Sequence, residues 1–69
     1  MNWHRVSNYC IKSDCGRFQI AKVIVFGGAM YELWDMKQPK PRLPIASGVK
    51  AADVKREATR AAMAEVQHG

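Results

Sequence analysis

Three prolines within six residues, Pro39, Pro41 and Pro44, constrain this chain more than any other feature. Proline lacks the backbone N–H and fixes φ, so residues 37–44 can be neither helix nor inner strand. Before them the apolar residues recur with period two, and after them with a period near 3.6, so the cluster joins two kinds of structure. Lys37, Lys40 and Arg42 sit among the prolines, which predicts an extended, polyproline-like, basic linker over residues 37–46. Leu43 and Ile45 could supply a short edge strand at its end.

The first half reads as an antiparallel meander. Residues 6–12 hold Tyr9 and Ile11 at period two and run into Ser13-Asp14-Cys15-Gly16, a group with turn chemistry. Residues 17–26 put Phe18 and Ile20 on one face and Arg17 and Gln19 on the other. Lys22 then falls on the Phe18 face, with Ala21, Val23 and Val25 opposite. Either this strand is buried on both faces near its end, or a bulge at Ala21-Lys22 resets the alternation. Gly27-Gly28 is a hairpin signal, and residues 30–36 form a further strand with Tyr31 and Leu33 on one face and Met30, Glu32 and Trp34 on the other.

Beyond the prolines, Ser47 is the expected N-cap of a helix over residues 47–68, and Gly69 its expected stop. Ala51, Val54, Ala58, Ala61 and Ala62 fall on one stripe at helical spacing. Such small side chains let a helix sit close to a sheet that supplies Tyr9, Phe18, Ile20, Leu33 and one tryptophan. The expected fold is therefore α+β: a small antiparallel sheet of three to four strands with one C-terminal helix packed on one face. Residues 1–69 form a single domain, divided into a meander (6–36), the linker (37–46) and the helix (47–68).

Several function classes are disfavoured by the same residues. A chain of 69 residues buries only about 60% of its unfolded surface and has little room for an enclosed substrate pocket. No phosphate-binding glycine loop ends in Lys-Ser or Lys-Thr, and Asp14, Glu32 and Asp35 form no acid–base couple in sequence. The expectation is a protein with no catalytic residue and no cofactor. Cys10 and Cys15 are expected as free thiols; with only His4 and His68 near opposite ends, no metal site is expected. The longest uncharged apolar stretch, residues 23–31, is too short to span a membrane, and the start Met-Asn-Trp-His-Arg has no apolar core of a secretory signal. The cytoplasm is the expected location, with no membrane partner. The formal net charge of +5 draws the chain towards nucleic acid or an acidic protein face, or else serves solubility alone; it argues against nucleic-acid mimicry.

Two resemblances add to this reading. Lys55-Arg56-Glu57-Ala58-Thr59-Arg60-Ala61-Ala62 resembles the last helix of double-stranded-RNA-binding domains, in which a basic pair precedes alanines packed on a three-stranded sheet. That likeness implies phosphate contacts read by shape, here from Lys50, Lys55, Arg56 and Arg60. More broadly, Trp3, Ser7, Tyr9, Ser13, Asp14, Gly16, Arg17, Phe18, Ile20, Ala21 and Lys22, followed by a hairpin and an alanine-rich helix, look like small accessory proteins of bacteriophages and prophages. Some of these are anti-CRISPR inhibitors. The resemblance implies a non-enzymatic protein in the bacterial host cell that occupies a functional surface of a defence machine, a host protein or ribonucleoprotein. The residues expected to bind such a partner are Trp34, Met30 and Met36 on an uncovered sheet face, with Lys40 and Arg42 of the linker; the other reading of Trp34 is core. A direct binder of double-stranded nucleic acid and a homodimerising scaffold module are the alternatives, with the chain a monomer or a homodimer.

Overall fold

The computed structural model describes residues 1–68, with side chains through Ala64. Its strands are β1 (Trp3–Ser7), β2 (Cys10–Ser13), β3 (Phe18–Val25), β4 (Gly28–Asp35) and β5 (Ala46–Gly48), followed by the helix α1 (Ala51–His68). Every neighbouring pair is antiparallel and the strands lie in chain order, so the class is α+β, as expected. The sheet has five strands rather than three or four.

The additional strands arise at two places. The segment expected as one strand at 6–12 is a hairpin, because Ser7 and Asn8 satisfy a reversal with their own side chains. Ser7 Oγ accepts from the Tyr9 N–H at 3.2 Å, and Asn8 Oδ1 accepts from Arg5 Nη2 at 2.7 Å. Tyr9, placed by the pattern in the core, is consequently 57% exposed. At the other edge, β5 begins one residue after Ile45, whose N–H donates to the Leu33 carbonyl at 2.8 Å. Ser47 lies in this strand opposite Glu32 and is not an N-cap. Ladder pairing with β4 holds the backbone extended there, and the helix starts only after Lys50, whose carbonyl accepts from Val54 N–H at 3.3 Å. The expected stop at Gly69 lies outside the described residues.

No bulge interrupts β3: its register with β4 runs unbroken from Phe18↔Asp35 to Val25↔Gly28. Lys22 stays on the Phe18 face but is exposed, because the strand runs past the core. The core itself is Phe18, Ile20, Leu33, Val54 and Ala58, bordered by Trp3, Ile11, Tyr31, Ala46, Ala61 and Ala62. Trp3 is thus the tryptophan that joins it, and the stripe of small helical residues faces the sheet. The helix rests on β3, β4 and β5, off-centre towards the β5 edge.

Two polar groups close the end of the sheet next to Phe18. Buried Ser13 accepts from the Phe18 N–H through Oγ at 3.0 Å. Arg17 donates from Nε to Asp35 Oδ1 at 3.1 Å and from Nη2 to Oδ2 at 2.9 Å, and its guanidinium carbon lies 4.7 Å from the centre of the Phe18 ring.

Candidate binding surfaces

Only one face of the sheet is covered by the helix. Since alternate residues of a strand point to opposite faces, the register assigns the other face directly. Lys12, Gln19 and Trp34 form one row across β2, β3 and β4; Cys10, Ala21, Glu32 and Ser47 form the next; Val23 pairs with Met30 beyond it. Trp34 and Met30 therefore lie on the same open face, four residues apart along β4 with Glu32 between them, and each is half-buried. Met36 follows β4 and is also half-buried, its N–H donating to the Arg17 carbonyl at 2.7 Å.

This face continues into a feature that the sequence pattern did not single out. Pairing of β2 with β3 ends at Cys10↔Ala21, and pairing of β4 with β5 ends at Tyr31↔Gly48. The end of the β3–β4 hairpin thus runs on as a two-stranded ribbon with no strand beside it. Val25, on the open face, and Ile24, on the helix-side face, are both exposed, and Phe26 is fully exposed at the turn. Gly27 beside it takes φ of 87°, a conformation that glycine adopts without a Cβ penalty. The signal in the sequence was the position of Phe26 directly before the glycine pair: at a turn beyond the core its ring is left in solvent, with no ring contact among the described residues.

The linker cations divide. Lys40 is exposed, while Arg42 is half-buried and donates from Nε to the Gln38 carbonyl at 2.9 Å and from Nη2 to the Met36 carbonyl at 3.0 Å. Arg42 thereby folds the proline segment back on the end of β4 instead of standing free as a contact. With these bonds the linker turns and bends before β5 rather than running fully extended.

The basic residues of the helix also divide. Arg56 and Arg60 are exposed on the outer face, paired with Asp53 at 3.4 Å and Glu57 at 3.1 Å. Such exposed pairs add only about 0.2–0.5 kcal/mol each, but they neutralise much of the charge that a phosphate would meet. Lys55 lies on a different flank and faces the β1–β2 side, and Lys50 is exposed ahead of the helix. The four residues do not share one stripe.

Cys10 and Cys15 are both free thiols. The hydrogen bond between Cys15 Sγ and Ser13 Oγ, at 3.3 Å, is the main cause holding the exposed Cys15 thiol below its ordinary pKa. Among the described residues no cluster of three or more His, Cys, Asp or Glu side chains could hold a metal, and no helix is long and apolar enough to cross a membrane.

Compared with family models, curated proteins and solved structures, the chain matches none.

Proposed function

We propose that this chain is a non-enzymatic binding protein whose contact surface is the ribbon tip together with the open sheet face. The observation that carries this reading is that fully exposed Phe26 at the turn and exposed Val25 adjoin Val23 and Met30 on the open face, which Trp34 shares beyond Glu32, with no helix of the described residues over it. A domain this small gains by burying its large apolar side chains, so leaving several outside is a cost best explained by a partner that covers them. Aromatic and methionine side chains are the usual anchors of protein interfaces. Lys40, in the segment that leaves β4, supplies exposed positive charge to speed encounter with an acidic rim. Following the resemblance to phage accessory proteins, the partner is a host defence protein or ribonucleoprotein, a CRISPR effector, and binding blocks its functional surface.

A photo-crosslinking residue at Phe26, with one at Thr59 on the helix as control, tests the reading in cells carrying an active CRISPR system. The expected result is an adduct with an effector subunit from position 26 only, together with restored plaquing of a targeted phage when the unmodified chain is expressed. Adducts only between copies of the chain would make it a homodimerising module. Adducts only with nucleic acid would return the reading to a direct nucleic-acid binder.

A further inference from the structure

The off-centre helix leaves part of the covered face of the sheet open on the β1–β2 side, and there the fold makes a cleft of about 410 Å³. Its size is that of a small-molecule site. Ile11 and Ile20, neighbours across β2 and β3, contribute its apolar surface. Among the described residues its charge is all of one sign: Arg5, Lys22 and Lys55 line it, and none that lines it carries a carboxylate. Asp53, the acid in the first helical turn, pairs with Arg56 and is not part of the lining. Ala51, the first residue of α1, does line it, so the helix N-terminus adds its partial positive charge.

Two phenol rings complete the site. Tyr31 is the cross-strand partner of Lys22, and the Tyr9 carbonyl accepts from the Lys22 N–H at 2.7 Å, so the fold places Lys22 between two tyrosines. Both tyrosines line the cleft. Arg5 is presented by the side-chain hydrogen bond to Asn8 at 2.7 Å, which uses a neutral amide and leaves the positive charge uncompensated. A ligand complementary to this lining is flat and aromatic at one end and anionic at the other.

We infer that this cleft binds a nucleoside phosphate, its base stacked on Tyr9 or Tyr31 and its phosphate held by Arg5, Lys22 and Lys55. The ligand is either a free nucleotide or an unpaired nucleotide of a single strand, since base and phosphate chemistry are shared. The site lies on the helix side of the sheet, opposite the open face, and does not depend on the protein-binding role.

Titration of the isotope-labelled full chain, followed by backbone amide NMR, tests the inference with adenosine monophosphate, adenosine, inorganic phosphate and a single-stranded hexanucleotide. Monophosphate should shift amides at residues 5–11, Lys22, Tyr31 and 51–55, at least tenfold more tightly than adenosine or phosphate alone. Lys22→Ala and Lys55→Ala should each weaken it about tenfold, Lys55→Arg should retain it, and Tyr31→Phe should leave stacking intact. A hexanucleotide that binds at least tenfold more tightly than the monophosphate identifies a strand as the source; equal binding identifies the free nucleotide. The inference is overturned if adenosine binds as well as its monophosphate, if no amide in the cleft moves, or if the shifts gather at Arg56 and Arg60 instead.

Discussion

Ser13 and Asp35 are the polar residues that the core cannot do without. Ser13 is fully buried and its hydroxyl is the acceptor for the Phe18 N–H, so replacing it by alanine strands a buried donor. Ser13→Ala should cost about 1–3 kcal/mol in urea unfolding, although it removes a single oxygen. Asp35 is held by two hydrogen bonds from Arg17 and one from the Lys37 N–H, at 3.0 Å. The Arg17 hydrogen bond is the main reason that its carboxyl sits below the ordinary value of 3.8. A carboxyl whose folded pKa is lowered stabilises the fold fully above the unfolded value and loses that contribution as pH falls through the folded one. The chain should therefore lose stability below about pH 3.8, in the range set by Asp35. Asp35→Asn should lose about 1–3 kcal/mol near neutral pH and show a flatter acid limb when melts are compared across pH. Neither role was visible in sequence: Asp35 stood out only as an acid with no acid–base partner nearby, and Arg17 is distant along the chain.

The helix is the element whose packing follows most directly from its residues. Val54 and Ala58 are buried and Ala61 is half-buried, as a stripe of small side chains at helical spacing requires. Ala58 has no free surface, so Ala58→Leu should force the helix away from the sheet and cost about 1–3 kcal/mol, measured as a lower thermal midpoint. The β1–β2 hairpin was harder to read, since Ser7 and Asn8 carry a weaker turn signal than Gly27-Gly28. Their side-chain hydrogen bonds make the reversal, and such bonds depend on a geometry that spacing alone does not encode. The start of the helix was misplaced for a related reason. Ser47 has the chemistry of a cap, but pairing across from Glu32 satisfies its backbone through a strand that is remote in sequence.

At the scale of the whole molecule, one helix on five strands leaves a sheet face uncovered, and the proposed contact surface follows from that shortfall. Phe26→Ser should change stability by less than about 0.5 kcal/mol, because the ring touches little within the fold, yet should reduce partner binding. Trp34→Ala should weaken binding by about 2 kcal/mol or more while circular dichroism stays native. Loss of the fold in that variant would make Trp34 a structural residue. Charge reversal at Lys40 should chiefly slow association, whereas Arg42→Glu should also loosen the linker, because it removes the donors to Met36 and Gln38.

The sequence by itself determined the α+β class, the proline junction, the glycine hairpin, the small-residue face of the helix and the placing of Trp34 and Met30 on one strand face. Each follows from local rules, since proline chemistry and side-chain periodicity act within a few residues. Tertiary structure decided the hidden first hairpin, the true start of the helix, the tethering of Arg42 and the projection of Phe26. It also decided that Arg5, Lys22 and Lys55 meet in one cleft while Arg56 and Arg60 pair off elsewhere. Those outcomes depend on where strands end relative to one another and where the helix comes to rest across them. Both are set by contacts between residues far apart in the chain, which no pattern of spacing records.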